Sequence, residues 1–175
     1  GAFYGVAVGV TQRNPKVLLG YSSVSQMGLV AVGVGAGLMV PAAWPVVAAV
    51  VALYAAHHAF AKAALFIGLG VTTRTGSRAA WLALWLPAAA LVGLPLTSGA
   101  VAKTALKATV PVLPAPWPDL LEVALPLAAV GTTLLVARLL FLACPPAARV
   151  GPVRAGWAAY APLLAAVVLG PWWLG

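Results

Sequence analysis

The chain has 175 residues, 63% of them hydrophobic and 7% charged, with a formal net charge of +8. A soluble domain carries about a quarter charged residues, and none of this size has enough interior to hide so much apolar surface. The apolar runs are long and unbroken rather than alternating, which excludes an outer-membrane barrel and leaves helices as the elements able to span lipid.

Residues 1–12 open on "GAFYGVAVGV", without Met, and read as the tail of a helix already under way. The expectation is a single transmembrane domain over 1–175 that forms the C-terminal part of a larger subunit. A cleavable signal peptide is not expected, because the first residues lack a basic region. "TQRNPK" is a polar turn, and a first span runs from about Lys16 to Leu38. Pro41 and Pro45 mark the next turn, and a second span runs from about Trp44 to Gly70. "TTRTGSR" reads as a loop. The third apolar stretch, about Ala79 to Leu113, is too long for one simple crossing and is interrupted by "GLPLTSG", which holds Gly93, Pro95 and Gly99. A Pro-rich loop, "PVLPAPWPD", precedes a fourth span from about Leu120 to Ala143. "CPPAARVGP" separates it from a fifth, about Val153 to Trp173. "GVGAG" in the first span is a helix-packing glycine pattern. It lacks the strand and acidic partner of a nucleotide loop.

The basic residues are scattered between apolar runs, so membrane topology rather than nucleic acid explains the charge. Counting crossings puts Arg13, Lys16, Arg74, Arg78, Arg149 and Arg154 on one side, with Arg138 near the same end of span four. Asp119 and Glu122, the only acids, fall at the opposite end. The positive side is expected to be cytoplasmic. Trp81, Trp85 and Trp157 lie near that face, and Trp44, Trp117, Trp172 and Trp173 near the other, as two aromatic belts. The localisation expected is a cell (inner) membrane, multi-pass.

With the charges of loops and span ends set aside, Lys62, Lys103 and Lys107 remain within spans, together with His57 and His58. A charge near the bilayer centre costs roughly 2.5–3.5 kcal/mol on insertion scales, so its presence asks for a function. His58 and Lys62 are i and i+4 and share a face of span two, with His57 about a quarter turn away. A proton relay suits them, because imidazole titrates near neutrality and a lysine stripped of water gives up its proton more readily. The competing reading is that Lys62 snorkels and the histidines are interhelical hydrogen-bond glue, but Lys62 lies too deep to reach the interface comfortably. Lys103 follows the break, where freed backbone groups need neighbours or water and where transporters place ion sites. Lys107, one turn on, reads as an interfacial snorkeller. Ser22, Ser25 and Gln26 line one side of span one, serving either packing or water binding. Lys16, at the boundary, is by default a topology residue. The lone Cys144 has no disulfide or metal partner, and no carboxylate pair, phosphate loop or nucleophile triad appears, so no cofactor or metal is expected.

Three segments, "NPKVLLGYSSVSQMG" (14–28), "HHAFAKAALFIGLG" (57–70) and "GLPLTSGAVAKTALK" (93–107), together resemble the antiporter-like proton-translocating subunits of NADH–quinone oxidoreductase (complex I). That family also includes subunits of Mrp-type cation/proton antiporters and of membrane-bound hydrogenases. The likeness covers most of residues 1–110. It implies an all-α polytopic bundle with one discontinuous helix, corresponding to the second of two inverted repeats. It matches Lys16 to the lysine of an Asp-x-Lys motif whose Asp is here Asn14, and His58 and Lys62 to the central proton-path pair. It matches Lys103 to the residue that ends the path. Tyr54 stands where some members carry another His. The implied function is proton translocation along Lys16, His58–Lys62 and Lys103, each lysine desolvated and water joining them. His57, Ser22, Ser25, Gln26 and Lys107 are secondary candidates. Redox chemistry would sit in partner membrane subunits. The alternatives are an Mrp-type antiporter moving sodium as well as protons, a hydrogenase subunit, or a non-conducting scaffold.

Overall fold

The structure is a computed structural model and describes residues 1–145 and 154–173. Among them every regular element is helical: α1 (Ala2–Gly9), α2 (Pro15–Met39), α3 (Trp44–Thr75), α4 (Arg78–Ala83), α5 (Trp85–Val92), α6 (Ser98–Ala108), α7 (Trp117–Leu142) and α8 (Arg154–Trp173). Single 3-10 turns at Pro41–Ala43 and Val110–Val112 link α2 to α3 and follow α6. Three helical stretches are long and apolar enough to cross a membrane: Pro15–Met39, Pro41–Thr75 and Trp117–Leu142. The fold is an all-α membrane helix bundle. At 32 residues, α3 is about 48 Å long, well over a hydrocarbon core of about 30 Å, so its ends reach the polar zones.

Local chemistry sets the helix limits. Asn14 caps α2 by accepting the Lys16 N–H at 2.9 Å, with Pro15 in the first turn where its missing donor is harmless. The stretch expected as a loop after Gly70 stays helical to Thr75. Thr73 and Thr75 donate their hydroxyls to the Leu69 and Val71 carbonyls, and Gly76, left-handed at φ 63°, ends the helix. The third apolar stretch breaks where "GLPLTSG" stands. Gly93 (φ 87°) and Leu96 (φ 66°) turn the chain out of helix, and the Thr97 hydroxyl restarts it by accepting the Ala100 N–H. A lesser interruption at Leu84, between α4 and α5, was not expected. Pro87 explains it: its ring has no N–H for the carbonyl of Ala83 and crowds it.

Small residues bring the helices close. The missing Cβ of Gly33 faces Val51 and Leu106, and that of Gly37 faces Trp44, so two glycines of "GVGAG" do pack helices while Gly35 faces open space. The main core joins Leu18 and Leu19 of α2, Ala61, Ala64, Leu65 and Leu69 of α3, Leu84, Ala88, Ala90 and Leu91 at and after the α4–α5 junction, Leu135, Val136, Leu139 and Leu140 of α7, and Tyr160 of α8. Arg13 and Lys16 share a cleft with Leu69 and Thr73, and Arg138 donates to the Gln12 carbonyl at 3.0 Å. These cationic residues thus gather at one end of the bundle. Trp81 donates to the Leu140 carbonyl there at 2.9 Å and meets Trp85 edge-on. Arg149 and the side chains of Arg154, Trp172 and Trp173 lie outside the described residues.

Candidate functional site

The long apolar helices place their few polar side chains on faces that meet inside the bundle. On α2, Ser22, Ser25 and Gln26 fall at i, i+3 and i+4 and are all buried. On α3, Tyr54, His58 and Lys62 form a stripe one turn apart, with His57 beside it, and all four are buried. On α6, Ser98 and Gly99 open the helix at the break and Lys103 follows one turn later.

Lys62 donates from Nζ to the Leu19 carbonyl of α2 at 2.8 Å. It is 6% exposed, so it does not snorkel. Leu19 also accepts the Ser23 hydroxyl at 3.2 Å, so Lys62 is an extra donor to a carbonyl already served. His58 is one turn before Lys62 and Ser22 one turn after Leu19; among the described residues Nδ1 of His58 and the hydroxyls of Ser22, Ser25, Thr72 and Tyr160 are buried with no hydrogen-bond partner. Orphaned buried polar atoms are rare and ask for an explanation.

Lys103 is held by the break itself. Its Nζ donates to the carbonyl of Val92, the last residue of α5, at 2.5 Å. The final carbonyls of a helix lack internal partners and carry the negative end of its dipole, so the C-terminus of α5 is a natural seat for an ammonium. Two glycines make the approach possible. A Cβ on Gly93 would lie 3.0 Å from Lys103 Cδ, and a Cβ on Gly99 would collide with the Ala90 carbonyl and sit 3.0 Å from His57 Cε1. The half-helices therefore overlap tightly, with His57 against the junction and a 2.8 Å hydrogen bond between its Nδ1 and the Ser98 hydroxyl. Pro95 is exposed at the turn.

A further bridge ties three helices. Tyr54 donates to Gln26 Oε1 at 2.7 Å, Gln26 Nε2 donates to Thr132 Oγ1 at 2.9 Å, and Thr132 donates to the Ala128 carbonyl at 2.9 Å. Tyr54 also lines a cavity of about 170 Å³ together with Lys103 and Lys107. Among the described residues no direct hydrogen bond joins Lys62, His58, His57 and Lys103 to one another.

Lys16 departs from the expectation that each lysine is desolvated. It is exposed in the first turn of α2, in an open cleft of about 590 Å³ with Arg13, Asn14 and Thr73, because the helix there has only begun to pack. Lys107 is exposed at the rim of the inner cavity. Sequence reasoning missed Ser98, Thr132 and the bridging part of Tyr54. Tyr54 carried a signal, being one turn before His58 on the same stripe. Thr132 stood out only as a hydroxyl in an apolar helix. Among the described residues no three His, Cys, Asp or Glu side chains gather as a metal site would require.

A family model described as the transmembrane region of NADH:quinone oxidoreductase and Mrp antiporter subunits matches residues 1–112, from α1 through the turn after α6. A comparison with curated proteins found no match.

Proposed function

As the chain belongs to the NADH:quinone oxidoreductase/Mrp antiporter membrane subunit family, we propose that it passes protons across a cell (inner) membrane through its buried Lys62 and His58 and its half-buried Lys103, as a multi-pass subunit of a complex I-type host. The observation that carries the reading is the setting of Lys62. It is an ammonium buried beside a carbonyl that does not need it, with His58 one turn away on α3, Ser22 one turn beyond Leu19 and Ser25 further along the same helix, all three unpartnered among the described residues. A purely structural polar cluster satisfies its members, whereas groups left open in this way suit water that comes and goes with a proton.

In this reading Lys16 and its open cleft form the entry at the cytoplasmic end, and exposure suits it to collect protons from water. Lys62 and His58 hold and hand on the proton at mid-depth. His57 and Ser98 steady the broken helix, and Lys103, seated on the C-terminus of α5, ends the path. Lys62 and Lys103 form no direct hydrogen bond, so water carries the transfer between them. Each lysine then responds to its neighbour's charge. The subunit does no redox chemistry; partner subunits supply the driving force.

The test replaces Lys62 and Lys103 singly by Ala in the host complex and measures protons moved per electron pair. Assembly with normal electron transfer and strongly reduced pumping is expected. Normal pumping by both variants would make the chain a scaffold and end the proposal. The matching family also contains Mrp antiporters, and a dependence of transport on sodium would assign the chain to them instead.

A further inference from the structure

The inner cavity of about 170 Å³ lies where α2, α3, α6 and α7 meet. Its lining divides sharply. Leu29, Leu106, Leu125, Pro126 and Ala129 offer only carbon, while Lys103 and Lys107 supply two ammonium groups. Tyr54 also borders it, but its hydroxyl proton is committed to Gln26. Neither of the chain's two carboxylates, Asp119 and Glu122, lines the cavity. Two like charges one helical turn apart repel, and Lys103, half-buried in the cavity, has little water to screen it. An ammonium has three donors, and Lys103 uses one of them on the Val92 carbonyl. Exposed Lys107 and Pro126 form the rim, so the cavity is open towards the outside of the bundle.

We infer that this cavity binds the carboxylate of a long-chain fatty acid, with its two oxygens between Lys103 and Lys107 and its alkyl chain along Leu125, Pro126 and Ala129. A carboxylate presents about four lone-pair sites, which the free donors of two ammoniums can meet. The apolar lining suits methylenes and cannot serve the ester and glycerol oxygens of a phospholipid, which would be left without donors. The cavity, about 170 Å³ and open at its rim, takes a carboxylate and the methylenes next to it. The inference concerns binding, and it holds or fails independently of proton transport.

The experiment uses the full-length subunit purified in detergent and a photoactivatable diazirine fatty acid, with labelled peptides located by mass spectrometry. Label is expected on the segment around Leu125 to Ala129, removed by excess oleate and retained with oleyl alcohol, which has the same chain and no charge. Lys103→Gln combined with Lys107→Gln should weaken oleate competition by about tenfold or more, the loss of charged hydrogen bonds. Ala129→Phe keeps both lysines and fills the cavity, and should abolish labelling there while the protein remains folded by circular dichroism. Equal competition by oleyl alcohol, or competition retained in the double variant, would overturn the site as an anion site. Stronger competition by phosphatidylglycerol than by oleate would overturn its assignment to fatty acids.

Discussion

Replacing Lys62 by Met separates a functional from a structural lysine, because the two roles predict opposite signs. Met keeps the length of the side chain and much of its volume, so little cavity or overpacking is expected. Two energies then compete. Removing an ammonium from membrane depth relieves roughly 2.5–3.5 kcal/mol on insertion scales. Losing its 2.8 Å bond to the Leu19 carbonyl costs about 1.5–3 kcal/mol, the usual range for a hydrogen bond to a charged group. The carbonyl is not stranded, since it keeps its helical partner and the Ser23 hydroxyl. The difference runs from roughly −0.5 to +2 kcal/mol in favour of the variant. Lys62→Met should therefore be as stable as the parent or more so while proton pumping collapses. Stability is read from unfolding of the purified subunit in mixed micelles, and pumping from the reconstituted host complex. A variant destabilised by more than about 2 kcal/mol that still pumps would show that Lys62 is buried to hold α2 and α3 together, and the reasoning would be wrong.

The Tyr54–Gln26–Thr132 bridge should behave as a coupled unit: in a double-mutant cycle of Tyr54→Phe and Gln26→Leu, the pair should interact by about 0.5–1.7 kcal/mol in micelle unfolding, whereas strict additivity would mean the 2.7 Å bond contributes nothing. Gly99→Ala should destabilise by about 1–3 kcal/mol, because its Cβ has no room beside the Ala90 carbonyl, and should reduce pumping with it by shifting Ser98 and His57; an unchanged unfolding midpoint would deny the close overlap of α5 and α6. Asn14→Asp should stabilise by about 0.3–1 kcal/mol at low salt through the N-terminus of α2 and adjacent Lys16, with the gain fading in 1 M salt; a gain independent of salt would point away from electrostatics.

Much of this protein is legible from residue order because a membrane leaves few choices. Runs of about twenty apolar residues cannot be anything but helix in lipid, so the three long spans, and the break at Gly93 to Gly99, follow from composition and from Gly and Pro placement. The boundary misread after Gly70 has a local cause: Thr73 and Thr75 look like loop residues in sequence, yet their hydroxyls can bond back within a helix. The interruption at Leu84 was written in Pro87, four residues after the carbonyl it disturbs.

The sequence by itself determined which residues are anomalous: Lys62, His58 and Lys103 are conspicuous wherever the helices pack, since charge among oil is costly in any arrangement. Only the tertiary structure decided what each one touches. That Lys62 reaches the Leu19 carbonyl, that Lys103 caps the helix just before its own, and that Tyr54 reaches Thr132 through Gln26 all depend on how far one helix is slid and turned against another. Those displacements are set by shape, such as the missing Cβ of Gly99 under Ala90, and the 3.6-residue period that reveals a buried face does not tell which neighbour will cover it.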